Sequence, residues 1–375
     1  MKKILYIHHG STKGGAPKSL KFLLEKLDKK VFSPTVVCRK DKNDCSFFEI
    51  EGVQTLYEPN IHPFHGSTVS GIDFKQILYN FVYAIPTYFA TRRIIKETKP
   101  DIIHLNSTCL FVCAIAAKHI DKTIKVVCHV REPLLKNFWG DILKYMNNRY
   151  CDNFIAIDSF DGKSVDPYGI KTKVIYNFVD FSTYNSRIKS NILRKELALN
   201  NEDVIVLALM RLSPENGLLE LICEWKKYIK DKKIHLVIVG EIQGEKIDYS
   251  NKCHNEARDN SNIHILPFRS DAPQVIASSD IIICPFIEPH FARVIIEGAA
   301  MGLPSIAANI DGPSELIKNG ETGFLYNNPG EMADKISILA NNGDLRNELG
   351  KNAELLAREC FDAQKNSIET FKLYN

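Results

Sequence analysis

Short apolar runs alternate with segments of helical period along nearly the whole chain. The apolar runs hold β-branched residues without strict polar alternation, which indicates strands buried on both faces, as in a parallel sheet. In the first half we predict strands at Ile4–Ile7, Thr35–Cys38, Thr55–Tyr57, Ile102–Leu105, Lys125–His129, Asn153–Ile157 and Lys173–Tyr176. Between them we predict helices at Pro17–Leu27, Phe74–Glu97, Cys109–His119 and Trp139–Tyr150. Such alternation predicts an α/β unit with right-handed crossover connections.

A polar, irregular stretch near residues 178–200 interrupts this pattern, which then resumes. Further strands are predicted at Val204–Ala208, His235–Val239, Asn262–Leu266, Ile281–Pro285, Ser305–Ala307 and Gly323–Tyr326. Further helices are predicted at Leu218–Tyr228, Ala272–Ser278, Arg293–Met301, Gly312–Lys318, Glu331–Asn341 and, as one long helix, Asp344–Tyr374. We therefore predict an α/β protein with two doubly wound Rossmann-like domains facing a cleft, residues 1–180 and 181–355. The terminal segment 356–375 is expected to pack back on the first domain.

Composition narrows the class of protein without naming a function. The chain has 375 residues, 45% of them apolar and 25% charged, and a formal net charge of +3. These are ordinary values for a folded globular protein, and the balanced charge predicts no nucleic-acid partner. The apolar run Ile77–Ala90 contains Asn80 and Pro86 and is shorter than the roughly 18–20 residues that span a bilayer. Ten scattered cysteines without a C-x-x-C pair, and no signal-peptide pattern, favour a reducing cytoplasm.

The loop after the first predicted strand, HHGSTKGGAPKSL, is the first candidate for ligand binding. Gly14 and Gly15 allow backbone amides to approach a ligand closely, and Pro17 suits a first helical turn. No two glycines in the chain have the spacing Gly-x-Gly, so neither a dinucleotide fingerprint nor a P-loop is present. A simple strand-to-helix turn is the alternative interpretation.

The segment CPFIEPHFARVIIEGAAMGLPSIA is the most informative stretch. Its predicted strand is followed by a loop with Glu288 and His290, then by a helix with Glu297. A helix N-terminus can hold a phosphate, and a carboxylate one turn inside can accept hydrogen bonds from vicinal hydroxyls. Since an acid in an otherwise apolar helix is costly to bury, we favour a binding role for Glu297 over a solvent-facing one.

Six segments together resemble glycosyltransferase family 4, retaining sugar transferases of the two-domain GT-B fold. The segment with Glu288 and Glu297 resembles the family's E-x7-E region, although here eight residues separate the two acids. The other segments, in chain order, are GGAPKSL, PDIIHLNS, VIYNFVD, LALMRLSPENG and DGPSELIKNGETGFL. Each motif is weak alone, whereas their order and spacing over most of the chain are specific for the family.

The resemblance implies roles for individual residues. Glu297 would bind the ribose of a nucleotide-sugar donor, and Glu288 would meet the hydroxyls of the transferred sugar. Arg211 would neutralise the donor diphosphate, a task suited to a guanidinium fork. Gly14 and Gly15 would face the same phosphates from the first domain.

Other expected roles concern the acceptor and the departures from the family pattern. His129 would lie near the reacting carbon and the acceptor, with a core histidine as an equally weighted alternative. Arg131 and Glu132 follow it and could contact acceptor or phosphate. Asn216 stands where the family has a phosphate-binding lysine. Arg293 is a candidate to supply the missing charge.

We therefore expect a retaining, metal-independent hexosyltransferase in surface polysaccharide or glycolipid biosynthesis. Its donor would be UDP- or GDP-linked, and no cofactor or metal is expected because the chain has no Asp-x-Asp pair. Its acceptor would be a saccharide or a lipid-linked saccharide. The shifted glutamate and Asn216 keep open a non-catalytic protein that binds nucleotide sugars, and a nucleotide-sugar epimerase is a weaker rival. The apolar segment Phe74–Ala90 with the basic run TRRIIKETK is compatible with weak peripheral contact at the inner face of the membrane.

Overall fold

The computed structural model describes residues 1–10, 15–39, 46–67, 73–241, 244 and 246–375. The chain forms two compact units. One comprises Met1–Asn177 together with Ala363–Asn375, and the other comprises Phe178–Asp362.

The first unit is built on a parallel sheet with helices on both faces. Its strands are β1 (Lys2–His8), β2 (Phe32–Cys38), β3 (Gln54–Tyr57), β4 (Ile102–Leu105), β5 (Lys125–Val130), β6 (Asn153–Ala156) and β7 (Thr172–Val174), in the order β3-β2-β1-β4-β5-β6-β7. Its helices are α1 (Gly15–Lys26), α2 (Phe74–Thr98), α3 (Phe111–Ile120), α4 (Phe138–Tyr150) and α5 (Ser159–Val165). In β1, Leu5 and Ile7 join one apolar cluster and Ile4 and Tyr6 join another, which is why this strand lacks an alternating pattern.

The second unit has its own parallel sheet. Its strands are β8 (Val204–Leu209), β9 (Ile234–Glu241), β10 (Ile263–Pro267), β11 (Ile281–Cys284), β12 (Ser305–Ala308) and β13 (Gly323–Tyr326), in the order β10-β9-β8-β11-β12-β13. Its helices are α6 (Ile192–Glu196), α7 (Leu218–Tyr228), α8 (Ile247–Ala257), α9 (Ala272–Ala277), α10 (Arg293–Ala300), α11 (Pro329–Asn341) and α12 (Gly343–Cys360). The prediction of two doubly wound α/β units is confirmed.

Several local predictions were wrong. The helix expected over Gly312–Lys318 is only a 3-10 turn at Pro313–Glu315, because Gly312 has φ of 88° and proline follows it. The helix expected over Asp344–Tyr374 is interrupted: α12 ends at Cys360, and the buried Phe361 accepts a backbone hydrogen bond of 2.8 Å from Val179. Helices α5 and α6 were not predicted because they are short, and α8 was not predicted because the residues that it buries are small.

The last helix, α13 (Ala363–Lys372), belongs to the first unit. Beyond it Tyr374 is buried, with its ring 6.3 Å from that of Tyr6. Its hydroxyl lies 2.7 Å from Nδ1 of His104, and its carbonyl oxygen accepts a bond from Nζ of Lys2. These contacts anchor the terminal residues to β1 and β4.

Each sheet has one place where the strand order reverses direction. In the first sheet β1 lies beside β4, and in the second β8 lies beside β11. Ligands of open α/β sheets bind outside the carboxyl ends of the strands at such points. Within the described ranges, no helix is both long enough and apolar enough to cross a membrane.

Candidate functional site

Arg211 lies just past the carboxyl end of β8, and its side chain is exposed. The backbone of this loop is held by Asn216, whose side chain is buried. Asn216 Nδ2 donates a hydrogen bond of 2.7 Å to the carbonyl oxygen of Arg211. The amide at the family's lysine position therefore holds Arg211 in place.

Gly217 ends this loop and begins α7 with φ of 67°. A Cβ at Gly217 would lie 2.2 Å from the carbonyl oxygen of Pro285, so no other residue fits here without movement. The loop after β11 also contacts the loop after β8, because the backbone N–H of Ile287 donates to the carbonyl oxygen of Glu215 at 3.2 Å. Loops from both strands of the switch point are thus fixed against each other.

Glu288 and His290 lie in the loop that follows β11. Glu288 is exposed, and its carbonyl oxygen accepts a hydrogen bond of 2.9 Å from Nδ1 of His290. The His290 ring stacks on Phe286 with centroids 3.7 Å apart. Burial, aided by the positive charge of Arg211, lowers the pKa of His290, although its bond to Glu288 opposes this. The His290 carbonyl lies so close to Gly312 that a Cβ there would be 2.4 Å from it.

Arg293 and Glu297 lie on α10, one helical turn apart. Arg293 Nε donates to Oε1 of Glu297 at 3.3 Å, and Nη2 donates to the carbonyl oxygen of Phe178 at 3.4 Å. Nη1 of Arg293 is buried and has no hydrogen-bond partner within the described part of the chain. Burial and the negative charge of Glu297 raise the pKa of the nearby Tyr184. The Arg293 side chain is therefore directed at Glu297, and its Nη1 group has no hydrogen-bond acceptor among the described residues.

Lys246 is a second cation near this edge that the sequence did not reveal. Its ammonium group lies 2.9 Å from both carboxylate oxygens of Glu215, the residue before Asn216. Lys246 has a left-handed backbone and precedes α8, a helix that was itself not predicted. Tyr184 was likewise missed, since it belongs to a stretch interpreted as a linker. Neither residue carries a sequence signal beyond its charge or ring.

In the first unit, polar side chains converge at the carboxyl ends of β1 and β4. Gly14 lies outside the described residues, whereas Gly15 is the first residue of α1. Asn106, just past β4, donates from Nδ2 to Nδ1 of His8 at 3.0 Å and to the carbonyl oxygen of Ala16 at 3.5 Å. Asn106 thereby joins the end of β1 to the start of α1.

His129, predicted to be catalytic, is buried in β5. Arg131 donates from Nη2 to Nδ1 of His129 at 3.3 Å and from Nε to Oδ1 of Asn106 at 2.9 Å. Burial is the main reason that the pKa of His129 lies well below its usual value, and the charge of Arg131 adds to the shift. His129 is therefore neutral at pH 7, with Nδ1 as an acceptor.

Glu132 follows this arginine and points to a different neighbour. Its Oε1 lies 3.8 Å from Sγ of Cys109, which also contacts Ser67. Burial raises the pKa of Glu132 and raises that of the Cys109 thiol to about 12. In the residues that the structure describes, no three His, Cys, Asp or Glu side chains form a metal-binding group.

Comparison with known families covers both units. Residues 189–356 match the family described as Glycosyl transferases group 1, and residues 13–183 match Glycosyltransferase Family 4. The boundary between the two matches falls in the polar stretch near residues 178–200.

Comparison with individual proteins gives the same result. Spore coat protein SA of Bacillus subtilis is 29% identical over 54% of this chain, which spans only 58% of that relative. An N,N'-diacetylbacillosaminyl-diphospho-undecaprenol alpha-1,3-N-acetylgalactosaminyltransferase of Campylobacter jejuni is 22% identical over 91% of this chain and 94% of its own length. HepE of Anabaena, solved in complex with UDP, has 23% identity and a TM-score of 0.80 over 99% of each chain. The structural likeness confirms the predicted GT-B fold.

Proposed function

Because this chain belongs to glycosyltransferase family 4, we propose that it transfers a sugar from a nucleotide-sugar donor to a hydroxyl acceptor. The observation that carries this proposal is the arrangement at the carboxyl edge of the second sheet. The loops after β8 and β11 are fixed to each other there, and they carry Arg211, Glu288 and His290. Helix α10, which follows directly, carries Arg293 and Glu297.

In this proposal Arg211 stabilises the departing diphosphate. Negative charge grows on the leaving phosphate as the glycosidic bond breaks. A positively charged hydrogen-bonding group that is already held in place therefore lowers the barrier. The bond from Asn216 to the Arg211 carbonyl supplies that rigidity. Lys246 adds positive charge nearby, although Glu215 partly neutralises it. In the first unit, the backbone amide of Gly15 at the start of α1 is proposed to donate to a phosphate.

Glu297 is proposed to accept hydrogen bonds from the ribose hydroxyls of the donor. Its contact with Arg293, one helical turn earlier, orients the carboxylate along α10. Nη1 of Arg293, which has no partner among the described residues, can donate a hydrogen bond to an oxygen of the same ligand. Glu288, which is exposed on the preceding loop, would contact the hydroxyls of the transferred sugar.

We propose that the transfer retains configuration at the anomeric carbon. On a front-face route the departing phosphate oxygen accepts the proton of the acceptor hydroxyl, so the protein need not provide a base. The neutral His129, whose Nδ1 accepts from Arg131, would position the acceptor or the transferred sugar through Nε2. The base and sugar of the donor, UDP- or GDP-linked, follow from the resemblance alone.

The proposed acceptor is a saccharide, or a saccharide carried on a lipid at a membrane surface. Helix α2 exposes a continuous apolar stripe, with basic side chains at its carboxyl-terminal end. The stripe consists of Phe74, Leu78, Phe81, Val82, Ile85 and Phe89, each between 54% and 81% exposed. A soluble surface rarely leaves so many large apolar side chains on one helix face, whereas a bilayer interface covers them.

Vesicle sedimentation tests this contact. Ile85→Ser combined with Phe89→Ser should release the protein from vesicles of phosphatidylcholine and phosphatidylglycerol. Ile170→Ser is the matched control, because Ile170 is 82% exposed in the same unit but outside the helix. Equal retention of both variants would refute the contact.

Binding and transfer assays test the activity itself. We expect UDP or GDP and one of their sugars to raise the melting temperature, and the purified protein to transfer that sugar to a saccharide acceptor. Arg211→Gln should weaken nucleotide binding roughly tenfold or more, the loss expected for a hydrogen bond between charged groups. Arg258→Gln should not, because Arg258 is exposed and, among the described residues, its hydrogen bond goes to the side chain of Asn255.

Glu297→Gln gives a second test of the donor site. It should lower affinity for the nucleoside diphosphate, with Glu359→Gln as an exposed control. Failure of every nucleotide to bind would overturn the proposed function. Donor binding without any hydrolysis or transfer would instead support the non-catalytic alternative.

A further inference from the structure

A cluster of basic and aromatic side chains lies apart from the residues discussed so far, beyond the carboxyl end of β2. Arg39 follows this strand directly, and its Nη2 lies 2.8 Å from Nδ1 of His62 and 2.9 Å from Oη of Tyr79. The Tyr79 hydroxyl is itself 2.6 Å from Nδ1 of His62. The His62 ring stacks on Tyr83 with centroids 4.2 Å apart. All four side chains retain contact with solvent.

Two buried polar residues of α2 hold this cluster in place. Thr87 accepts the backbone N–H of His62 at 3.0 Å and donates to the carbonyl oxygen of Asn60. About two helical turns earlier, Asn80 accepts the N–H of His65 at 2.7 Å and donates to the same residue's carbonyl oxygen at 2.9 Å. The loop that carries both histidines is therefore fixed to a long helix, which suits a preformed site better than a flexible loop would.

The hydrogen bonds assign the tautomer of His62. A guanidinium only donates, so Nδ1 of His62 is the acceptor for Arg39 and carries no hydrogen. The ring proton is then on Nε2, which can donate to a ligand. Burial, aided by the charge of Arg39, lowers the pKa of His62 to about 4, so the ring is neutral at pH 7.

The positive charge of Arg39 meets no carboxylate in the described ranges. Glu58 is the acid in the loop after β3, and it pairs with Arg93 of α2 and accepts the N–H of Asn60 instead. Burial lowers the pKa of His62 and of His65 in the same loop, and the positive charge of Arg39 adds to both shifts. A fixed guanidinium surrounded by neutral donors is suited to an anion.

A second observation points to a ligand at the same place. His9 follows β1 next to this cluster, and Nδ1 of its ring is buried without a hydrogen-bond partner among the residues that are described. Burial is the main cause that lowers the pKa of His9 to about 3, and the charges of His8, Arg39 and His65 add to the shift. An orphaned buried ring nitrogen is rare in proteins and calls for a partner.

We propose that Arg39, His62 and Tyr79 bind a phosphate group of a lipid-linked acceptor. The inference rests on the proposed function, and it specifies that the acceptor carries a phosphate. The guanidinium supplies charge and the hydrogens of Nη1, which the bonds from Nη2 to His62 and Tyr79 leave in place, the Nε2–H of His62 supplies a further donor, and the Tyr79 hydroxyl can turn toward an oxygen.

The position of the cluster on α2 fits a lipid-linked phosphate rather than a free one. Tyr79 and Tyr83 lie on the same helix as Leu78, Val82 and the rest of the apolar stripe, and each tyrosine is adjacent to a stripe residue in sequence. A phosphate held by Arg39 would therefore lie within a helix diameter of the surface proposed to meet the bilayer. The lipid chain and its phosphate could be bound by neighbouring faces of one helix.

Two probes separate the possible sources of the phosphate. Inorganic pyrophosphate in solution tests the anion site by calorimetry at low ionic strength, where the difference between the unmodified protein and Arg39→Gln separates this site from the proposed donor site. Phosphatidylcholine vesicles with and without a polyisoprenyl diphosphate test the lipid-linked form by sedimentation. Neither assay contains a nucleotide sugar, so a failure here leaves the proposed transferase activity intact, and a failure of nucleotide binding does not affect these results.

Arg39→Gln should weaken both forms of binding roughly tenfold to a hundredfold, the loss expected for charged hydrogen bonds. Arg39→Lys should recover part of the affinity, because it keeps the charge but not the fork. Arg258→Gln is the matched control and should bind as the unmodified protein does. Circular dichroism of each variant would establish that it is folded.

The imidazole signals of His62 in nitrogen-15 spectra give an independent readout of location. Added pyrophosphate should shift them in the unmodified protein and not in Arg39→Gln. If Arg39→Gln loses vesicle binding but keeps pyrophosphate binding, the site recognises the phosphate as part of a lipid. If Arg39→Gln loses both, the site recognises the phosphate group itself. Equal binding by the unmodified protein and Arg39→Gln in both assays would overturn the proposal.

Discussion

The bond from Asn216 to the carbonyl oxygen of Arg211 allows a sharp test of how the donor loop works. Asn216→Ala removes a buried hydrogen bond of 2.7 Å without adding bulk. Such a bond contributes about 1–1.5 kcal/mol to stability. For a unit of this size we expect the melting temperature of the second unit to fall by roughly 2–6 °C.

Asn341→Ala is the matched control for this variant. Its Nδ2 also donates to a backbone carbonyl oxygen, that of Ser337 at 2.9 Å, but Asn341 is exposed and water can replace the bond. We expect Asn341→Ala to lower the free energy of unfolding by less than about 0.5 kcal/mol. Both variants would be compared by differential scanning calorimetry.

Nucleotide binding distinguishes a positioning role from direct contact. If Asn216 acts by holding Arg211, Asn216→Ala should weaken binding up to about tenfold in the native background and have no further effect in Arg211→Gln. Calorimetric titration with UDP or GDP would measure both backgrounds. Additive losses, with an unchanged melting temperature, would show that Asn216 contacts the ligand itself and would refute this reasoning.

Three further predictions concern stability. Gly312→Ala should cost about 2 kcal/mol or more, measured by urea unfolding, because its φ of 88° disfavours a side chain and a Cβ would meet a carbonyl oxygen at 2.4 Å. Tyr374→Phe should cost about 1–3 kcal/mol in the same assay, since it removes the buried partner of His104; an unchanged value would show that the bond contributes nothing. His9 and His104 have pKa values lowered from 6.5 to about 3, so the unfolded state binds more protons below about pH 6.5 and stability is lost as pH falls. Each of the two histidines should lower the free energy of unfolding by about 2 kcal/mol between pH 7 and pH 5. His104→Gln should make the free energy of unfolding less dependent on pH in this range.

Much of the fold could be predicted because buried strands and helices require apolar residues at characteristic spacings along the chain. The strand ends of both sheets were found within one or two residues, except that β2 begins three residues before the predicted Thr35, and Ile102–Leu105 and Gly323–Tyr326 were found as they stand. Parallel strands buried on both faces need uninterrupted apolar runs, which few other elements contain. Helix α8 was missed because IDYSNKCHNEA buries only small residues.

The candidate site could be predicted in part for a related reason. Arg211, Glu288 and Glu297 follow strand ends or lie on the next helix, where α/β proteins bind ligands. Lys246 and Tyr184 come from segments without a motif, so they are identified by the ion pair of Lys246 with Glu215 and by the effect of the Glu297 charge on the pKa of Tyr184. Their roles depend on neighbours distant in sequence.

The sequence by itself determined the architecture and the family, since apolar periodicity and the order of short motifs are properties of the chain. Only the tertiary structure decided which polar groups face one another. It showed Asn216 bound to the Arg211 carbonyl, Arg293 directed at Glu297, and Arg39 beside His62 without a carboxylate within the described ranges. Hydrogen bonds and charges act over a few ångströms in space. Folding brings together residues that are far apart in the sequence, and their separation along the chain does not reveal how close they become.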